Sequence, residues 1–178
     1  RDVKVLFDPI RYTPMHEWHK KHTKEFENVG QWKRPWYFPK VSEGIEQAVA
    51  RECLAVRNKV GILDASTLGK IDVKGKDALE FLNRVYTNDF TSLTPGRCRY
   101  GLMLKEDGMI FDDGVCACID KNHYLIHTTT GGAADVLSWL EMWKQTEWPE
   151  LEVFLTSVTD VWATATISGP KSRKVISK

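Results

Sequence analysis

Arg97-Cys98-Arg99-Tyr100-Gly101-Leu102-Met103-Leu104-Lys105 and Met109-Ile110-Phe111-Asp112-Asp113-Gly114-Val115-Cys116-Ala117-Cys118-Ile119, joined by Glu106-Asp107-Gly108, are the stretch that decides the fold. Both arms are strand-like, and Asp-Gly supplies the positive φ that a tight connection needs, so the segment predicts a β-hairpin. Upstream, Thr67 to Val73 reads as a strand ending at Gly75, and Ala78, Leu79, Leu82 and Val85 mark a helix. Downstream, Tyr124 to Thr128 is a further strand. Gly131-Gly132 then leads into a helix with Ala133, Val136, Leu137, Leu140 and Trp143 on its inner stripe.

Further out, Ile45, Val49, Cys53, Val56 and Val60 recur at three- and four-residue steps, which predicts a long amphipathic helix with Gly61 at its C-terminal cap. The first forty residues are broken by Pro9, Pro14, Pro35 and Pro39. Thr13-Pro14 suits the start of a short helix through Met15, Trp18 and His22. Gly30 to Pro39 is too rich in rings and prolines for a helix and reads as an extended segment. Leu151 to Leu155 and Val161 to Ile167 add two strands, and Ser168-Gly169-Pro170 reads as a turn and helix start. With the sequence closing at Lys178, this pattern predicts a fragment. Helix, strand, helix, hairpin, strand, helix and two strands make an α+β fold, a mostly antiparallel sheet with helices packed on it.

Of the 178 residues, 42% are apolar and 28% charged, the composition of an ordinary globular protein. Lys plus Arg number 25 against 24 Asp plus Glu, so a net charge of +1 makes no case for nucleic acid or an anionic membrane as partner. No run of about 18 apolar residues occurs and the first residues lack a signal pattern, so a cytoplasmic protein is expected. Four cysteines, Cys53, Cys98, Cys116 and Cys118, without C-x-x-C spacing, are expected to be reduced and buried.

Asp112 and Asp113 are the conspicuous polar pair. By strict alternation Asp112 shares a face with Gly114, Cys116 and Cys118, and Asp113 with Phe111, Val115 and Ala117. Adjacent carboxylates on an apolar strand fit either a desolvated proton-handling group or a hydrated strand end. His16, His19 and His22 share a short helix but match no standard zinc pattern, so no metal is expected. Thr128-Thr129-Thr130-Gly131-Gly132 joins strand to helix, where backbone amides can hold an anion, or where a threonine simply caps the turn. Neither G-x-S-x-G nor G-x-G-x-x-G is present, which leaves a self-contained hydrolase or dehydrogenase unsupported.

Seven segments in register resemble the aminomethyltransferase superfamily, which includes the glycine cleavage T-protein. They are Thr13-Pro14-Met15, Gly30-Gln31-Trp32, Gly61 to Leu68, Asn88-Asp89, Gly96 to Gly101, Gly108 to Asp113 and Ser168-Gly169-Pro170. Val29 to Tyr37 is most similar to the folate-binding domain of heterotetrameric sarcosine oxidase α subunits. That resemblance implies three stretches: residues 1–62 opening a first subdomain, 63–154 as a compact middle subdomain, and 155–178 starting the return. It implies tetrahydrofolate as the acceptor of a one-carbon unit released from sarcosine, giving 5,10-methylenetetrahydrofolate. It also implies FMN/FAD and NAD bound outside this chain, and a flavin-bearing β subunit and smaller subunits as partners. Asp112 takes the place of the family's functional aspartate, and Tyr100, Leu68 and Thr128 fall at folate-lining positions. Leu68 stands for a methionine, Thr128 for an asparagine and Thr67 for a histidine, which leaves the ligand's pose open. A stand-alone aminomethyltransferase or folate-dependent demethylase, and a non-catalytic folate-binding or assembly module, are the alternatives.

Overall fold

The computed structural model describes residues 9–177. The chain forms two compact units, one made of the residues up to 67 together with those from 162 onward, the other of residues 68–161.

The first unit starts with β1 (Arg11–Tyr12), α1 (His16–His22), β2 (Phe26–Val29) and β3 (Trp32–Pro35). β1 runs parallel to β3, and β2 antiparallel to it. Gly30 turns the β2–β3 hairpin at φ +57°, in the left-handed region that glycine enters without a Cβ penalty. The aromatic segment expected to be simply extended is therefore one arm of a hairpin, with Trp32 buried and the Arg11 guanidinium 4.1 Å from its ring centre. α2 (Ile45–Asn58) begins after Gly44, whose N–H donates to Gln47 Oε1 at 3.0 Å. Only Ala48 is buried along it, and much of the expected inner stripe, Ile45, Val49 and Val56, is exposed. Gly61 is not a left-handed cap. It opens β4 (Gly61–Asp64), a strand the periodicity did not reveal.

The second unit contains β5 (Gly69–Lys74), α3 (Ala78–Val85), β6 (Cys98–Leu104), β7 (Ile110–Asp120), β8 (His123–Thr128), α4 (Ala133–Thr146) and β9 (Phe154–Ser157). These strands form one antiparallel sheet in the order β6-β7-β8-β5-β9. The β6–β7 hairpin turns at Gly108, φ +80°. Ile71, Val73, Met103, Cys116, Tyr124 and Ile126 point from one face into a core closed by Phe81, Leu82 and Val85 of α3 and Val136 and Leu140 of α4. Burial of whole apolar side chains, worth about 1.5–3 kcal/mol each, holds the helices on that face.

The last strand starts later than Val161: a 3-10 turn (Thr159–Val161) precedes β10 (Ala165–Ser168), which pairs antiparallel with β4 in the first unit. α5 (Ser172–Ile176) follows the turn at Gly169, φ +117°. Among the described residues no helix is long and apolar enough to cross a membrane.

Candidate functional site

Register and burial divide the central sheet into two chemically different faces. β6 and β7 pair Met103 with Asp112, Leu102 with Asp113 and Tyr100 with Val115. Residues directly opposite share a face, so Asp112 lies with Met103 on the helix-covered side. Tyr100, Leu102, Asp113 and Val115 lie together on the other. The register slips between Met103 and Leu104, which accommodates one extra residue at Phe111. Phe111 accordingly packs on Trp139 of α4, ring centres 5.0 Å apart. Strict alternation had put Phe111 with Asp113, and the bulge separates them.

Asp112 is 4% exposed and is bonded on both oxygens. The Thr129 N–H donates to Oδ1 at 3.3 Å and Oδ2 at 3.2 Å, and the Thr129 hydroxyl donates to Oδ1 at 2.7 Å. Any Cβ placed on Gly132, the residue preceding α4, would lie 3.7 Å from Oδ1. The carboxylate thus braces the turn from β8 into α4 close to the helix N-terminus, where the backbone dipole favours negative charge. Beside it the Tyr86 hydroxyl is buried without a hydrogen bond. Burial first, then the nearby Cys116 and Asp112, holds that phenol well above its ordinary range.

Thr128 is on the same face as Asp112. It is buried opposite Gly69, and its hydroxyl donates to the Thr129 carbonyl at 3.0 Å. Gly69 has no room for a side chain, because a Cβ there would meet Thr128 Oγ1 at 2.0 Å. Leu68 is half-buried just before β5, its carbonyl accepting a hydrogen bond from the fully buried Lys70 Nζ at 2.8 Å. Of the residues at folate-lining positions, Asp112 and Thr128 face the helices, whereas Tyr100, 58% exposed, is on the other side of the sheet.

That opposite face carries Tyr100, Val115 at 37% exposure, half-buried Leu102 and Asp113, and half-buried His127 of β8. The Asp113 carboxylate has no hydrogen bond or ion pair among the described residues. His127 Nδ1 bonds the Val115 carbonyl at 3.1 Å. Burial above all, with the neighbouring Lys70 charge, holds its pKa below the ordinary imidazole value, although the Val115 bond opposes that shift. Face parity on β7 and β8 was the signal available in sequence for Asp113 and His127. The bulge displaces only Phe111 from that parity.

His16, His19 and His22 diverge. His19 Nε2 is 2.8 Å from Asp64 Oδ2, whereas His22 Nδ1 bonds the Trp18 carbonyl. No group of three or more metal-ligating side chains occurs among the described residues. The four cysteines are free; Cys116 and Cys118 are buried as expected, Cys53 and Cys98 exposed. Burial, aided by Cys118, pushes the Cys116 thiol up to about 12, so it is an inert core group.

A five-stranded antiparallel sheet with helices on one face and a polar-aromatic opposite face makes the second unit an α+β domain. The solved glycine cleavage system aminomethyltransferase T from Bartonella henselae has this fold, with a TM-score of 0.80 at 24% identity over 94% of this chain and 43% of its own. The chain belongs to the GCVT N-terminal domain family, which matches residues 15–178. It is 62% identical to sarcosine oxidase subunit alpha from Corynebacterium sp. (strain U-96) and 47% identical to the Rhizobium meliloti subunit, in each case over 97% of this chain. It spans 18% of the length of those subunits. An aminomethyltransferase from Chloroherpeton thalassium is 31% identical over 95% of this chain and 43% of its own length.

Proposed function

We propose that this chain is part of a tetrahydrofolate-binding domain of a sarcosine oxidase α subunit, the place where the one-carbon unit from oxidative demethylation is captured as 5,10-methylenetetrahydrofolate. The observation that carries the reading is the Asp113 carboxylate, unbonded among the described residues, on the same sheet face as the exposed Tyr100 ring and Val115. An apolar patch edged by an acceptor with no donor among the described residues suits a planar heteroaromatic ring with N–H groups at its rim. The high identity to sarcosine oxidase α subunits favours this over a stand-alone aminomethyltransferase.

Tetrahydrofolate, when bound, supplies the nucleophilic nitrogens. Tyr100 offers the ring a face to pack on, and Val115, Leu102 and Leu68 supply apolar wall that excludes water. Asp113 accepts a hydrogen bond from the ligand and stabilises positive charge that develops as a carbon–nitrogen bond forms. Asp112, with Thr128 and Thr129, keeps the β8–α4 turn in place behind that face. In this reading a flavin-bearing partner subunit oxidises the amine, and FMN/FAD and NAD are bound outside this chain.

The test is turnover of sarcosine by the full-length subunit with its partners in saturating tetrahydrofolate, with formaldehyde and 5,10-methylenetetrahydrofolate measured together. Capture predicts methylenetetrahydrofolate as the main product, and Asp113→Ala diverts carbon to formaldehyde with amine oxidation retained. Release of all the carbon as formaldehyde by the unaltered enzyme overturns the proposal.

A further inference from the structure

We propose that His127 is a ligand-binding residue whose Nε2 accepts a hydrogen bond from an N–H of the molecule held on the sheet face, a role that rests on the folate reading above. The imidazole is fixed by its own strand pairing: Nδ1 lies 3.1 Å from the Val115 carbonyl, an oxygen that can only accept. Nδ1 therefore carries the hydrogen and the neutral ring keeps its lone pair on Nε2. Nε2 has no hydrogen-bond partner among the described residues, and the side chain is only half-buried, its Val115 hydrogen bond lying at the surface.

Its position completes a row across the sheet. Val115 of β7 pairs with Tyr100 of β6, Lys70 of β5 pairs with His127, and the Val115 carbonyl is the oxygen His127 holds. Asp113 is on the same face one step along β7. A ligand resting on Tyr100 and Val115 with N–H groups along its rim would thus meet two acceptors of different kind, a carboxylate and an imidazole nitrogen.

The charged and titratable groups on this face explain why the ring stays an acceptor. Lys70 on β5 places a buried cation beside it. Asp72, one row further on β5, is held by His123 of β8 at 2.9 Å and by Lys74 at 2.8 Å. Asp113 on β7 and Tyr100 and the free Cys98 thiol on β6 share the face. Protonation of His127 would set a second cation against Lys70 and remove the lone pair. Binding then weakens as pH falls through the His127 pKa, which burial and Lys70 place below the ordinary imidazole value.

The experiment measures the dissociation constant of tetrahydrofolate, anaerobically and between pH 5 and 8, in the full-length protein as it assembles, for the unaltered chain and for His127→Leu, His127→Gln, Tyr100→Ala and Asp113→Asn. His127→Leu is expected to weaken binding about tenfold at pH 7.5, the loss of one hydrogen bond, and to flatten the acid limb. His127→Gln keeps an acceptor that does not titrate, so it restores much of the affinity with the limb still flat. Its thermal melt guards against reading misfolding as lost contact. Should both His127 variants bind as tightly as the unaltered chain with its full pH profile, while Tyr100→Ala or Asp113→Asn binds weakly, the His127 role is overturned and the folate reading stands. If all four variants bind alike, or the unaltered protein does not bind, both fall.

Discussion

Adjacent carboxylates on one strand have opposite jobs here, and their neighbours say which is which. Buried Asp112 receives two hydrogen bonds from Thr129 of the exposed turn after β8, whereas Asp113 is half-exposed and bonded to nothing described. Hydrogen bonds to a charged group contribute about 1.5–3 kcal/mol, so Asp112→Ala should lower the melting temperature of the intact protein by several degrees. Asp113→Ala should change stability by less than about 0.5 kcal/mol while diverting carbon to formaldehyde. Calorimetry with product analysis on both variants decides this, and a stable, capture-deficient Asp112→Ala would return the catalytic role to Asp112. A second residue-scale prediction concerns Asp64. Burial alone would raise its pKa, but hydrogen bonds from Ser66 and His19 outweigh it and hold the carboxyl below its usual 3.8. A depressed folded pKa stabilises above the unfolded value and is lost as pH falls toward the folded one. Acid titration should therefore erode stability below about pH 4, and Asp64→Asn should remove that part of the pH dependence. Identical acid profiles for the two proteins would show that Asp64 is not linked to folding.

At the scale of elements, the long periodic pieces were legible and the short ones were not. The β6–β7 hairpin announces itself because Asp107-Gly108 must turn and both arms are long. β2, β3 and β4 have four residues each, too few for a period to emerge, and their pairing depends on partners distant in sequence. The site suffered from one irregularity: the extra residue at Phe111 turns two successive side chains toward the helices, and no local propensity marks it. Alternation counted across Phe111 misplaces that ring, and only the register shows that Tyr100 sides with Asp113. Gly114 tests this geometry directly. Its Cβ position lies 1.9 Å from the His127 carbonyl oxygen, so Gly114→Ala must push β7 away from β8. We expect a loss of more than about 3 kcal/mol, at the severe end for a single substitution, seen as a shifted denaturation midpoint or insoluble expression. A near-normal midpoint would mean that the two strands are less closely paired than the register indicates.

The two units of the whole molecule differ in how well they enclose apolar surface. Residues 68–161 hold one continuous core in which Phe81, Leu82, Ile126 and Leu140 are fully buried. In the other unit β4 and β10 form a two-stranded sheet, and Ile62 and Leu63 on β4 are 67% and 63% exposed, as is much of the apolar stripe of α2. Two strands without a covered face are marginal in water, and clustered exposed apolar side chains favour association. The chain spans 43% of the aminomethyltransferase structure whose fold it shares. On that basis the 178 residues expressed alone should behave as a stable half and a weak half. Amide exchange should be slowest in β5, β7 and β8 and close to unprotected in β4, β10 and α2, with a hydrophobic dye binding the chain. The same strands within the full-length protein should gain protection and the dye signal should fall. Equal protection of β4 and β8 in the isolated chain, with no dye binding, would show that the first unit is stable as it stands and that its exposed stripe needs no covering partner.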